Sequence, residues 1–581
     1  MNVVNMLRKI SLLLLLAFVG ITMSAQSLKW YNPQEAGFHV LQGQAFEGEV
    51  RKRFYDRLPI RAKETVRKAV WSISRQTAGE SICFSTDSKN IKVRYKVKLA
   101  LSKNHMPATG VSGIDLYTYD RHGNEEWLAA KYSFKDTVTY SYSDIRRTKL
   151  RETNPRYTLY LPLYNEVEWL EIGVDQGAEF CFERPAAIKP IVAYGTSICQ
   201  GACASRPAMA WTNILQRRLD RTVVNLGFSG NAMHESSIIE IISQIDAAVY
   251  ILDGMPNSFS IPAPALQDTL VKAVRQLRTK RPETPIILTD HCGYPHAVSY
   301  KKVKESQDHA LKSMESAYQQ LTDEGVRNLY YLRYKDIGMT ADMTVEGIHM
   351  TDYGMTAYAD AYEPLLREIL HEPKGDVSTA VPVVQQRDRY NWMDRHYSIL
   401  QQGAGKHFRR VLIGDSITHY WGGVPGAVRQ RGTDSWSQLE GETLNMGCGY
   451  ERVENVLWRI YQGELDNLTA DKLYLLIGTN NLSANTDEEI VEGIRAVINA
   501  VRVRLPETEV TVVCLLPRRD KEERVRNLNV LISQMAKNEG VLCIDPGQKF
   551  LGDNGKIDES LFEDGLHPNA SGYRMLLEYY Q

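Results

Sequence analysis

The chain has 581 residues, with 69 Lys+Arg against 70 Asp+Glu, a formal charge of -1, and 24% charged and 43% hydrophobic residues. That balance excludes a strongly basic nucleic-acid-binding surface and a disordered chain, and at about 150 residues per domain the length predicts three or four domains. The eight cysteines are spread thinly with no CxxC pair, which argues against a metal framework.

Residues 1–25 stand apart from the rest. Arg8-Lys9 precedes the apolar run Ile10 to Ile21, and Met23-Ser24-Ala25 follows. This is the pattern of a cleaved secretory signal, shorter than a membrane span, so a secreted or periplasmic location is expected. Removing Arg8 and Lys9 leaves 67 basic against 70 acidic residues, or -3. No later apolar run is long enough to span a bilayer, so no stable membrane insertion is expected.

Residues 26–187 have β texture. Ile91 to Leu99 alternates apolar and polar, and Gly113 to Tyr119, Tyr157 to Leu161 and Val167 to Ile172 are similar short runs between turn-rich stretches, which predicts an all-β sandwich. From 188 to 371 the pattern changes to short apolar strands alternating with amphipathic helices, the signature of a parallel sheet with crossover helices. Strands are predicted at Ile191 to Tyr194, Thr222 to Asn225, Ala248 to Leu252 and Ile286 to Thr289, and helices at Ala265 to Lys280 and Lys302 to Leu321. Residues 372–407 read as a linker and lead-in, by the Pro and Gly content of Glu372 to Pro382. The α/β order returns over 408–581, with strands at Val411 to Ile413, Thr443 to Asn445, Leu473 to Ile477 and Val510 to Cys514, and a helix near Glu488 to Arg504.

Each α/β half opens with a strand ending in Gly-x-Ser, at Ser197 and Ser416, and closes with a histidine preceded three residues earlier by an acid, Glu346 with His349 and Asp564 with His567. Ser197 to His349 spans 152 residues and Ser416 to His567 spans 151. Two unrelated coincidences would not keep step in that way. The turns ending in Gly230 and in Gly449-Tyr450 keep step too, as do Asn257 and Asn480, each near the end of the next strand. All lie at carboxyl ends of predicted parallel strands, where open α/β sheets assemble sites. A serine hydroxyl needs an imidazole to take its proton, and an acid on the far ring nitrogen fixes the tautomer and stabilises the imidazolium. Acyl transfer also passes through an oxyanion, for which the serine amide, the turn amides of Gly230, Gly449 and Tyr450, and the side chains of Asn257 and Asn480 are candidate donors.

Together Gly-Asp-Ser416, the Gly-rich turn, Gly-Thr-Asn480-Asn481 and Asp564-x-x-His567-Pro568 resemble the SGNH (GDSL) hydrolases. The second half, with Glu454 to Arg459 and Tyr390 to His396, is similar to the platelet-activating-factor acetylhydrolase-like branch. The first half, with Gly-Thr-Ser197-Ile-Cys-Gln-Gly201 and Ala204 to Pro207, resembles a branch preceded by a β domain bearing Gly-x-Asp-Leu-Tyr, here Gly113 to Tyr117. The resemblance implies flavodoxin-like α/β domains and ester hydrolysis without metal or other cofactor. Glu346 stands where the family has Asp, so the first half is expected to lean less on its acid. Tyr450 stands where the oxyanion glycine is usual, and only its amide is required.

Other features are read as structural. Cys199 and Cys203, four apart near the first serine, are read as buried free thiols with a disulfide in an oxidising compartment as the open alternative, His291-Cys292 with His296 as a loop beside the cleft, Asp253 as a strand-end residue, Asp415 as a tie within the serine loop, and Asp115 and Tyr117 as parts of the sandwich. The expected substrate is an acylated carbohydrate or other small ester, with no nucleic-acid partner. Two alternatives are a lipid or phospholipid acylhydrolase, and a glycan-binding protein with one or both α/β halves inactive.

Overall fold

Alternation over Ile91–Val97 buries Ile91, Val93 and Tyr95 and leaves Lys92, Arg94 and Lys96 partly solvated, as a strand with one covered face requires. In the computed structural model, which describes residues 27–119, 125–146, 155–186, 188–258, 261–385, 392–424, 426–427 and 429–581, this strand is central in the first sheet of an antiparallel sandwich. That sheet runs Leu28–Tyr31, Val167–Asp175, Ile91–Val97, Val138–Tyr142, Lys131–Ser133. The second runs Phe180–Phe182, Ser81–Thr86, Arg156–Tyr160, Asp115–Tyr119, Glu125–Leu128, with Leu41–Gln42 beside Ser81–Thr86. Ile82, Phe84, Val93, Leu116, Leu159 and Ile172 lie in their shared core. The leader read over 1–25 and residues Tyr390 and Asn391 fall outside the described residues.

One part of the β assignment is corrected. Phe46, Leu58, Ala62, Val70 and Trp71 leave the sandwich and join the core of the first α/β unit. Arg57, fully buried, donates to the carbonyls of Asn225 and Gly227 at 2.9 and 3.0 Å. This excursion carries the short helices Ile60–Glu64 and Lys68–Ile73 and no alternating run, so only its position between strands placed it with the sandwich.

The two α/β sheets are parallel and share one order. The first runs Val223–Gly227, Ile191–Gly195, Val249–Asp253, Ile286–Thr289, Leu329–Leu332; the second runs Thr443–Asn445, Lys406–Gly414, Leu468–Leu476, Glu509–Val513, Leu542–Ile544. In sequence order both are 2-1-3-4-5, the flavodoxin-like arrangement, and the first strand lies where the order reverses. Sites form in the crevice beyond its carboxyl end. Helix Asp487–Arg504 shows how the crossovers are held: Thr486 and Glu489 form a capping box, and Ile490, Ile494, Val497, Ile498 and Val501 are buried. Each such burial contributes about 1.5–3 kcal/mol. Among the described residues, no helix is long and apolar enough to cross a membrane.

Two interfaces fix the units. Asp115, a part of the sandwich as read above, also clamps it to the first α/β unit: its carboxylate accepts from the Ala208 N–H at 2.8 Å, from Arg206 at 3.1 Å and from the Trp127 indole at 3.1 Å. The Tyr117 hydroxyl accepts from the same Arg206 at 2.9 Å. Asp115→Ala is expected to cost about 3 kcal/mol by stripping these donors of their acceptor, seen as a lowered thermal transition; an unchanged transition would show that the clamp carries no stability. The other interface is built by the residues read as linker and lead-in. Glu372 is buried between Arg221 at 2.7 Å and Arg504 at 3.2 Å, one from each half. Trp458 of the second half donates to Asp220 of the first at 2.6 Å. Helix Trp392–Gly403 belongs to the second half, where the Trp392 indole donates to Glu451 at 2.7 Å and Arg395 donates to the Gly447 and Asn445 carbonyls.

Candidate active site

Both serines begin a short helix directly after the first strand, Ser197–Gln200 and Ser416–His419. The preceding residue caps each one. Thr196 Oγ1 accepts the Ile198 N–H at 3.2 Å, and Asp415 Oδ1 accepts the Ile417 N–H at 2.9 Å, which confers on Asp415 the tying role read from sequence. The second strand closes on this turn through an asparagine. Asn225 accepts from the Gly227 N–H and donates to the Cys199 carbonyl, while Asn445 accepts from the Gly447 N–H and donates to the Thr418 carbonyl. A side chain at Gly227 would meet Gln200 N at 2.3 Å, and one at Gly447 would meet His419 N at 2.4 Å. Only glycine allows that approach.

His349 Nε2 lies 2.8 Å from Ser197 Oγ, and its Nδ1 lies 2.9 Å from Glu346 Oε1. The same carboxylate oxygen accepts the His349 backbone N–H at 2.6 Å. The longer side chain, the ground for expecting the first half to lean less on its acid, does not keep Glu346 from His349: one oxygen holds both ring and backbone. In the second half His567 Nε2 lies 2.8 Å from Ser416 Oγ, with Asp564 Oδ2 at 2.8 Å from Nδ1 and Asp564 Oδ1 accepting the His567 N–H at 2.9 Å. Burial opposes ionisation of Asp564, yet hydrogen bonds from the His567 backbone and ring, with the nearby charges of His567 and Arg431, bring its carboxyl down to about 2.

Burial lowers both imidazoles below the ordinary 6.5, against the opposing pull of Glu346 and Asp564. Each is thus a neutral base at pH 7, the form that can take a serine proton. kcat/KM is expected to be flat from pH 7 to 8 and to fall only as pH drops through a value below 6.5, where the imidazole gains its proton. A profile falling already at pH 7 would contradict this assignment.

Gly230 and Tyr450 occupy equivalent left-handed positions, φ +67° and +61°. Tyr450 thus accepts backbone strain to keep the glycine-type turn. Gly449 does not fit the donor role read for it, because its N–H donates to His419 Nδ1 at 3.2 Å. Asn257 Oδ1 accepts the Ala232 N–H at 3.3 Å, which directs the amide end of the side chain away from that anchor. Asn480 spends one Nδ2 hydrogen on the Glu451 carbonyl at 2.9 Å and keeps a second.

Several neighbours carried no sequence signal. Tyr164, from the β domain, donates to the Ser197 carbonyl at 3.2 Å, and the Lys103 ammonium lies 4.2 Å from the Tyr164 ring centre. His105, also from the β domain, stacks on His349 with ring centres 5.5 Å apart. Tyr420 lies 5.1 Å from His567, and Arg431 reaches Asp564 at 3.4 Å. Such contacts join residues far apart in sequence, so only the fold reveals them. Cys199 and Cys203 are free buried thiols. Asp253 ends its strand fully buried, accepting from the Tyr358 hydroxyl at 3.3 Å. His291 and Tyr294 are in edge contact, and Tyr294 stacks on His296, which packs on Gly347 of the catalytic turn.

Two models described as the GDSL-like lipase/acylhydrolase family match residues 188–367 and 412–575, and a model described as the N-terminus of SGNH-hydrolase-type esterases matches 28–180. Platelet-activating factor acetylhydrolase IB subunit alpha2 of Rattus norvegicus is 30% identical over 199 residues, 33% of this chain and 81% of that protein. The chain belongs to the GDSL-like lipase/acylhydrolase family. The Homo sapiens alpha2 subunit is 29% identical over 197 residues, again 33% of this chain and 81% of the relative. The crystal structure of a GDSL-like lipase candidate from Bacteroides ovatus ATCC 8483 is 29% identical with a TM-score of 0.55, covering 59% of this chain and 98% of that one. The protein is thus a tandem GDSL-like ester hydrolase with an antiparallel β domain in front.

Proposed function

We propose that this hydrolase removes short acyl groups, acetyl foremost, from carbohydrates outside the cytoplasm, using both serines. Ser197 and Ser416 attack the ester carbonyl, His349 and His567 take the serine proton and pass it to the leaving alcohol, and Glu346 and Asp564 orient the rings. The serine amides, the turn amides of Gly230 and Tyr450, and the Asn257 and Asn480 side chains receive the oxyanion. Water then releases the acid by the same proton route in reverse.

The observation that carries the substrate class is the row of rings beside the first triad. Tyr294 and His296 stack at 5.7 Å and 10°, His296 meets Tyr300 edge-on at 5.7 Å, and Tyr300 is 61% exposed. A cavity of about 600 Å³ lined by Tyr294, Pro295, Val298, Lys301 and Gln307 opens at the Tyr294 end of this row. Flat faces with polar edges suit a pyranose, whose C–H face stacks while its hydroxyls meet the polar groups. The basic, apolar and small-residue pattern of residues 1–25 supports an exported location.

The test is acetate release from a panel of acetylated glycans, with p-nitrophenyl acetate and octanoate beside them. Release from at least one glycan is expected, with acetate preferred over octanoate by about tenfold or more in kcat/KM, some 1.4 kcal/mol of acyl discrimination. Identity with relatives named as platelet-activating factor acetylhydrolases favours a second reading, an acetylated phospholipid. Turnover of platelet-activating factor with no glycan release would select it.

A further inference from the structure

We propose that His105, Cys203 and His349 form a zinc site that switches off the first catalytic centre. Their ligating atoms all lie within 4.8 Å of one another, and they come from three separate elements. His105 sits at the tip of a tight turn closed by paired hydrogen bonds between Lys103 and Met106, at 3.0 and 3.1 Å. Cys203 follows the nucleophile helix in a left-handed conformation, φ +69°, with its Sγ directed at the His105 carbonyl at 3.4 Å. His349 is the ring on which His105 stacks. The Asp115–Arg206 clamp and the close approach of Gly110 to the Ala204 carbonyl hold the two chain segments together. The three side chains are already neighbours.

Two imidazoles and a thiol are the donors that a borderline-soft divalent ion selects, and a fourth position stays open for water. Bonds of 2.0–2.1 Å to nitrogen and 2.3 Å to sulfur place tetrahedral ligands about 3.5 Å apart. Rotation of His105, which is exposed, supplies the closure. As the Zn–S bond forms, the Cys203 thiol proton leaves to solvent and nothing is oxidised or reduced. Coordination through Nε2 of His349 removes the acceptor of the Ser197 proton, and coordination through Nδ1 displaces Glu346. Either way the base is lost.

The second half supplies an internal control. The residue six beyond Ser416 is Gly422, where the first half has Cys203, and the ring beside His567 is that of Tyr420. Among the described residues, no comparable His/Cys/Asp/Glu group surrounds His567.

The test uses the full chain, with zinc chloride in calorimetry and cobalt(II) chloride in absorption spectroscopy. One zinc per chain is expected, with a thiolate-to-cobalt charge-transfer band. Losing a metal's outer hydrogen-bond partner costs about 10–100-fold in affinity, so Cys203→Ser and His105→Gln, each removing a ligand, are expected to weaken zinc by at least about 100-fold. Esterase activity of Ser416→Ala is expected to vanish on zinc addition and to return with chelator, while that of Ser197→Ala persists. The inhibition arm rests on His349 being the base, whereas the binding arms do not, so the two ideas fail separately. Absence of stoichiometric binding would overturn the site, as would a cobalt band and zinc affinity unchanged in Cys203→Ser and His105→Gln, or equal inhibition of both serine variants.

Discussion

Alanine at both Ser197 and Ser416 is expected to lower ester hydrolysis by the full chain by about 10⁶, the scale of losing an activated serine nucleophile. The size follows from geometry. Each hydroxyl is 2.8 Å from an imidazole nitrogen, and a neutral imidazole is what makes a serine nucleophilic near pH 7. Alanine leaves the oxyanion donors in place but gives the acyl group nothing to join. Each single variant is expected to retain the other half's turnover, measured with p-nitrophenyl acetate. Full activity in the double variant would remove serine catalysis from both sites.

The acids give the second large effect. With the other half's serine replaced by alanine, Glu346→Gln and Asp564→Asn are each expected to cost about 10⁴ in kcat, because the neutral amide favours the wrong imidazole tautomer and cannot stabilise the imidazolium. From residue type alone, the first half would lose less. The structure places Glu346 Oε1 2.9 Å from His349 Nδ1 and 2.6 Å from its N–H, nearly the arrangement of Asp564 with His567. Comparable losses are therefore expected in kcat measured under saturating substrate. A Glu346→Gln loss of tenfold or less would show that another group orients His349.

Periodicity and registration made legible both sheets and the Ser–His–acid groups that the fold brings together. Four strands of each parallel sheet are apolar enough to stand out, and the spacing of Ser197 from His349 and of Ser416 from His567 tied the halves together. The fifth strands escaped because they are poorly covered: Leu329–Leu332 is mostly half-buried and Leu542–Ile544 is exposed to half-buried, whereas the opposite edge strand Val223–Gly227 is fully buried and was legible. The β domain's part in the first site escaped for a different reason. His105 and Tyr164 reach His349 and Ser197 only once the clamp of Asp115 on Arg206 has docked the domains, and no local pattern encodes a docking. Gly449 was misread because spacing locates a turn but not the direction of its amide, which here points to His419. The reach of Glu346 could not be judged from side-chain length, since the backbone of the turn sets where the carboxylate begins.

One chain is expected to carry two complete serine centres. Intact-mass measurement after treatment with a fluorophosphonate tests it most directly, because phosphonylation needs an activated serine and reports stoichiometry independently of substrate choice. Two adducts per chain are expected, mapped by peptide analysis to Ser197 and Ser416, with one adduct remaining in each single serine-to-alanine variant. A single adduct on the wild-type chain, or two adducts on other residues, would contradict the claim.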